Sequence, residues 1–96
     1  MQYGDHHTRH LRITLLRLME QPPHTANSSL LCDGCDAVGL PTTRDRVKTE
    51  LAWLAEQGLV RTATLESGLV RATLTERGLD VARGLVQVPG VKAPGP

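Results

Sequence analysis

Apolar residues recur at helical spacing three times along this chain, give way to strand-like alternation, and then return to helical spacing. In residues 8–20, TRHLRITLLRLME, Leu11, Leu15 and Leu18 repeat at helical intervals, and Ile13, Leu16 and Met19 widen the stripe. Arg9, Arg12 and Arg17 fill much of the rest, so the pattern predicts a helix buried along one side. Gln21-Pro22-Pro23 ends it, because a residue before proline is pushed out of the helical region. PPHTANSS, residues 22–29, is expected as a loop whose Asn27, Ser28 and Ser29 are good helix N-caps. A second, short helix is expected through LLCDGCDAV, with Leu31, Cys35 and Val38 on one face and a stop at Gly39. Gly34 in its middle costs about 1 kcal/mol relative to Ala. Leu40-Pro41 makes a turn, and Thr42 with Asp45 three residues on resembles a capping box. The third helix, TRDRVKTELAWLAEQ, buries Val47, Leu51 and Leu54, is widened by Trp53 and Ala55, and is closed by Gly58 as a left-handed C-cap.

The alternation follows. Leu59 to Leu65 and Leu69 to Leu74 flank Glu66-Ser67-Gly68, which predicts two strands joined by a tight turn with Gly at the positive-φ position. Thr75 then caps a fourth helix, ERGLDVARGLV. The closing VPGVKAPGP holds three of the six prolines and is expected to be extended or disordered. The expected organisation is one domain over residues 1–86 and a Pro/Gly-rich tail over 87–96. The order is helix, helix, turn, helix, strand, turn, strand, helix. That is a mainly α chain with a small β-ribbon, arranged as a winged helix-turn-helix.

Composition narrows what such a domain does. At 96 residues the chain is one domain that buries roughly two thirds of its unfolded surface. It has no Phe, one Trp and one Tyr, so the core must be aliphatic, and modules that stack bases on aromatic platforms are excluded. Eleven basic and ten acidic residues leave a net charge of +1, so phosphate contact has to come from local clustering. No apolar run approaches the ~20 residues of a membrane span, and the N-terminus lacks the apolar stretch and cleavage site of a secretory signal. With two cysteines, a reduced cytoplasmic setting is the expectation.

Leu51-x-x-Leu54-x-x-x-Gly58-Leu59-Val60 resembles the end of the recognition helix in winged-helix regulators of the MarR and ArsR type. The ribbon after it resembles their wing, and Leu74-Thr75-Glu76-Arg77-Gly78 is similar to the Leu-Thr-x-x-Gly that closes the wing in the MarR group. The likeness covers residues 28–84. The short chain and its tail VPGVKAPGP also resemble small ArsR-like proteins of Mu-like phages and prophages. That resemblance implies a viral or prophage origin, with transcriptional regulation and DNA packaging both open. One departure matters: metal-sensing ArsR proteins carry Cys-x-Cys-Asp, whereas this chain has Cys32-x-x-Cys35-Asp36, so sensor chemistry does not carry over.

The candidate DNA-binding residues are Thr43, Arg44, Arg46, Lys48 and Thr49 on the third helix. With Val47 and Leu51 turned inward, Arg44, Lys48 and Thr49 fall largely on the outer side and Arg46 near it. Arginine reads guanine edges with a two-pronged fork, Lys and Thr hold phosphates, and the helix N-terminus offers free amides to an anion. The alternatives are a solvated face balanced by Asp45 and Glu50, or a protein interface. Arg61 and Arg71, one on each strand, could straddle a phosphate backbone, although Glu66 at the tip opposes it; a purely structural ribbon is the alternative.

Cys32 and Cys35 are zinc-ligand types, as are His6, His7, His10 and His24. A single Cys-x-x-Cys with Cys35 on an apolar face reads first as core packing, and no metal or other cofactor is expected. Asp33 and Asp36 read as surface charge. No nucleophile elbow, phosphate loop or metalloprotease motif occurs, so no enzyme is expected. The expected function is double-stranded DNA binding as a small transcriptional regulator, acting as a homodimer through its first and fourth helices. The alternative is an interaction module contacting phage proteins in a packaging or assembly complex.

Overall fold

Asn27, Thr43 and Thr75 each stand just before a helix with extended backbone, and each side-chain oxygen accepts a hydrogen bond from the amide three residues on: Leu30, Arg46 and Gly78. Each cap satisfies an amide the helix itself leaves without a partner. The cap of the third helix is therefore Thr43, one residue later than the Thr42 expected from its spacing to Asp45. The computed structural model describes residues 3–94. Its elements are α1 (Tyr3–Leu18), β1 (Thr25–Asn27), α2 (Ser28–Ala37), α3 (Arg44–Glu56), β2 (Val60–Thr64), β3 (Val70–Leu74) and α4 (Glu76–Ala82).

The helix ends follow from backbone chemistry. Gly58, at φ +76, turns the chain out of α3. Its amide donates to Ala55 O and the Leu59 amide to Leu54 O, the paired bonds of a Schellman motif. Gly84 does the same for α4, with Gly84 N on Val81 O and Leu85 N on Asp80 O. That stop ends α4 at Ala82, four residues short of the extent expected from its apolar spacing.

Leu11, Leu15, Leu16 and Met19 of the first helix and its end meet Leu31 and Cys35 of α2 and Val47, Leu51 and Leu54 of α3 in one aliphatic core. Burying each such leucine is worth about 1.5–3 kcal/mol. The expected stripes hold with two exceptions. Leu18 is 36 % exposed and lies over Gly34 at the core's rim, and Val38 is 60 % exposed because α2 ends before it.

The sheet has three antiparallel strands in the order β1-β3-β2, one more than the two-stranded ribbon expected. The added strand lies in the segment expected as a loop. Thr25 pairs with Thr73 and Asn27 with Arg71 on one side of β3, while Arg61 pairs with Thr73 and Ala63 with Arg71 on the other. Thr25 Oγ1 donates to Ala72 O at 2.8 Å, fixing the register. The β2–β3 turn is the expected Glu66-Ser67-Gly68, with Gly68 at φ +89 and the Leu65 amide on Leu69 O. Helix, turn and helix followed by this hairpin make the fold a winged helix-turn-helix.

Residues 87–94 fold back over the domain. Val88 is buried, and the Lys92 amide donates to Arg9 O. Gly90 packs against the Trp53 ring, where a Cβ would lie 2.9 Å from the ring carbons. The remaining tail positions, 95 and 96, lie outside the described residues, as do positions 1 and 2.

Candidate nucleic-acid interface

Helical geometry and burial divide α3 into three surfaces. Val47, Leu51 and Leu54 face the core. The outermost strip carries Asp45, Thr49, Ala52 and Glu56, all exposed. Arg44 and Lys48, one turn apart, border this strip on the side toward α2. Arg44 is exposed, and its Nε donates to Ser29 Oγ in the first turn of α2 at 3.2 Å. Lys48 is partly exposed. Thr43 is engaged as the cap, and Thr49 Oγ1 donates to Asp45 O at 3.2 Å.

Arg46 is placed on the other border, toward α1. Its Nε donates to Glu50 Oε2 at 2.9 Å, and Nη2 donates to Thr8 Oγ1. Glu50 is only 4 % exposed, and its second oxygen accepts from Arg12 Nε at 2.7 Å. Arg12 also lies with its guanidinium carbon 3.7 Å from the centroid of the Trp53 ring and donates to Gly90 O at 3.0 Å. Arg12 and Glu50 thus fasten α3 to α1 and to the folded-back tail. Neither was expected in this role: Arg12 reads as a polar filler and Glu50 as a charge balancing a solvated face.

Arg61 and Arg71 are both exposed and occupy the same face of the sheet. The register shows why. Arg61 opposes Thr73 and Arg71 opposes Ala63, so the two arginines are diagonal neighbours on adjacent strands. The opposite face turns Val60, Ala72 and Leu74 into the core. On its other edge Arg71 opposes Asn27, two residues before the Ser29 that Arg44 touches. Arg61 and Arg71 thus lie on the exposed face of the sheet, and Arg44 lies beside the first turn of α2 with Lys48 a turn behind it. Glu66 is exposed at the hairpin tip, and Asp45 is the nearest acid on α3.

The cysteines sit elsewhere. Cys32, half-buried, has its Sγ 3.5 Å from Thr42 O, and Cys35 is fully buried. Burial, with the neighbouring Cys32 thiol adding to it, pushes the Cys35 thiol up from 9.0 to about 11. Among the described residues no group of three or more His, Cys, Asp or Glu is placed to hold a metal ion, and the histidines are not gathered at the cysteine pair. The raised thiol makes a prediction. Native-state labelling at pH 8 should leave Cys35 unmodified, since the thiolate is the reactive form. Because the folded value exceeds the unfolded one, the neutral thiol favours folding below pH 9, and that contribution is lost as pH rises from 9 toward about 11. A Cys35→Ala variant, measured by urea unfolding across that range, should lose this part of the alkaline dependence; an unchanged pH profile refutes the assignment.

No helix among the described residues is long and apolar enough to cross a membrane. No protein-family model matches the chain. A chain of the solved hsRosR-S4 complex has the same winged-helix architecture, at TM-score 0.61 and 18 % identity, with 75 % of this chain and 62 % of that one aligned. A protein of Haemophilus influenzae is 37 % identical over 79 residues, which is 82 % of this chain and 78 % of that protein. Protein gp26 of Escherichia phage Mu is 44 % identical over 89 residues, 93 % of this chain and 92 % of gp26. With that identity sustained over nearly the full length of both proteins, the chain belongs to the family of phage Mu gp26.

Proposed function

We propose that this protein binds double-stranded DNA through the α2–α3 unit and the β2–β3 wing, as a small dimeric transcriptional regulator of phage or prophage origin working in the cytoplasm. The observation that supports the reading is the exposure of Arg44 on α3 and of Arg61 and Arg71 on one face of the hairpin, with Lys48 partly exposed a turn from Arg44. Two cations on α3 and two on the hairpin offer positive charge to a phosphate backbone that a net charge of +1 does not. In this arrangement Arg44 and Lys48 enter or flank the major groove, and Arg61 and Arg71 hold the adjacent backbone. Thr43 and Thr49 contribute by capping and bracing the first turns of α3, and Arg46 acts through Glu50 to set the helix's orientation.

The test is a salt-titrated binding assay on duplex DNA. Affinity should fall steeply with salt, and Arg44→Ala with Lys48→Ala should lower the salt slope by about 2 and the affinity by tenfold or more. Undiminished binding in that double variant refutes the reading.

A second reading has its own support. The outermost strip of α3 bears Asp45 and Glu56, and the wing tip bears Glu66, all of which repel phosphate. These favour a module that contacts protein in a phage packaging or assembly complex. Defined complexes with no duplex affinity at low salt would select it.

A further inference from the structure

Assembly as two copies is part of the reading above, on which this inference rests, but the surface it uses contains none of the four proposed DNA contacts. Leu30 and Gly34 stand four apart on one face of α2, and Val38, the residue that caps its end, lies beside Leu18 in the same groove. Leu30 and Val38 are 61 % and 60 % exposed. Leu18 of α1 lies across the glycine between them, where a Cβ would sit 2.9 Å from Leu18 Cδ1. The three apolar side chains thus form one stripe along the seam between α1 and α2.

The margins of the stripe carry opposite charge. On the α2 side Asp33, beside Leu30 around the helix, is exposed. On the α1 side His10 and Arg17 are exposed and, with Thr14, Leu18, Glu20 and Val38, line a groove beside the stripe. Glu20 is paired with Arg83 at 3.5 Å, which leaves Arg17 to set the sign of that margin.

We propose that this stripe is the contact surface of a homodimer whose two-fold axis runs along it. An isologous contact requires a patch complementary to itself. A two-fold along the stripe sets the acidic margin of each copy opposite the basic margin of the other, twice over, while Leu18, Leu30 and Val38 of both copies leave water together. The separation of charge across the apolar centre is the feature that selects a second copy as the occupant.

Sedimentation equilibrium of the full chain over a concentration series tests it. The wild type should reach twice the 10.4 kDa chain mass. Leu30→Asn with Val38→Asn should weaken association at least about tenfold. Asp33→Arg should weaken it comparably, and adding Arg17→Asp to that variant should restore most of the loss, with circular dichroism showing each variant folded. A chain that stays at 10.4 kDa throughout, a dimer indifferent to the stripe variants, or a charge reversal without rescue overturns the proposal. A charge-dependent dimer that shows no duplex affinity overturns the DNA reading and leaves this one standing.

Discussion

Glu50→Ala is expected to lower the unfolding free energy by about 3 kcal/mol, the penalty typical of removing one partner from a buried ion pair. The Glu50 side chain is 6 % exposed and serves two guanidinium groups, at 2.7 Å from Arg12 and 2.9 Å from Arg46. Without it, Arg12 keeps the Gly90 carbonyl and the Trp53 ring but loses its counter-charge at a site where its side chain is only 16 % exposed. Arg46 is more open to water at 39 % and contributes less of the penalty, because solvent screens it. For a domain of this size the loss corresponds to a Tm lower by roughly 12–24 °C. Glu50→Gln retains an acceptor and should fall between wild type and Ala. Urea unfolding of the three proteins decides the matter, and an Ala variant within about 1 kcal/mol of wild type would remove the network from the account of stability. The same variant bears on function, since the network joins α3 to α1 and the tail. If it sets the orientation of α3 and the proposed DNA contact is right, duplex affinity should fall even at temperatures where the variant is fully folded.

How far the sequence discloses this arrangement depends on the kind of signal each part emits. The helices of the helix-turn-helix are legible because Val47, Leu51 and Leu54 repeat at helical spacing and Gly58 marks the stop. The hairpin is legible because alternation and Ser67-Gly68 agree. Strand β1 is not, since three residues, Thr25 to Asn27, are too few to establish a period and their pairing depends on β3, more than forty residues away. The end of α4 is not legible from spacing, because Leu85 and Val86 continue an apolar run past Gly84 and the glycine's left-handed turn prevails over it. The Arg12–Glu50 pair did leave a trace. Arg12 stands at helical intervals from Leu15, Leu16 and Met19, all buried, so the same periodicity that predicts the core places a guanidinium inside it. A charge at a core position asks for a counter-charge, and Glu50 is the acid of α3 that falls on its inner edge. At the candidate interface, the sequence indicates which cations lie on α3 and the hairpin, whereas the register of β3 with β2 brings Arg71 beside Arg61 on one face of the sheet. The inward turn of Arg46 was not readable, because it depends on Thr8 and Glu50 meeting across two helices.

Gly78→Ala should also destabilise by about 3 kcal/mol, against the sign that helix propensity alone predicts. In an open helix, Ala gains about 1 kcal/mol over Gly. Gly78 is buried in the first turn of α4, and a Cβ there would drive into the Leu59 carbonyl, 2.9 Å from its carbon and far closer to its oxygen, with Leu74 Cδ2 at 3.1 Å on another side. That carbonyl cannot step aside cheaply. It accepts the Thr75 amide at 3.1 Å, while Thr75 Oγ1 donates to the neighbouring Gly58 O at 2.7 Å and caps the helix by accepting from Gly78 N at 3.0 Å. Relieving the overlap means withdrawing α4 from the α3–β2 junction, at a cost of about 1 kcal/mol for each hydrogen bond lost plus a comparable packing loss. The Leu-Thr-x-x-Gly spelling from Leu74 to Gly78 thus acquires a physical reason. Thr ties the start of α4 to the glycine that ends α3, and Gly lets the two backbones touch. Gly34→Ala is the informative contrast, for its Cβ would meet only the methyl groups of Leu18, which is free to shift at the surface. Unfolding in urea at equal protein concentration should find Gly34→Ala near wild type and Gly78→Ala far below it. A Gly78→Ala variant as stable as wild type would show that α4 is not held against the wing's base by this contact.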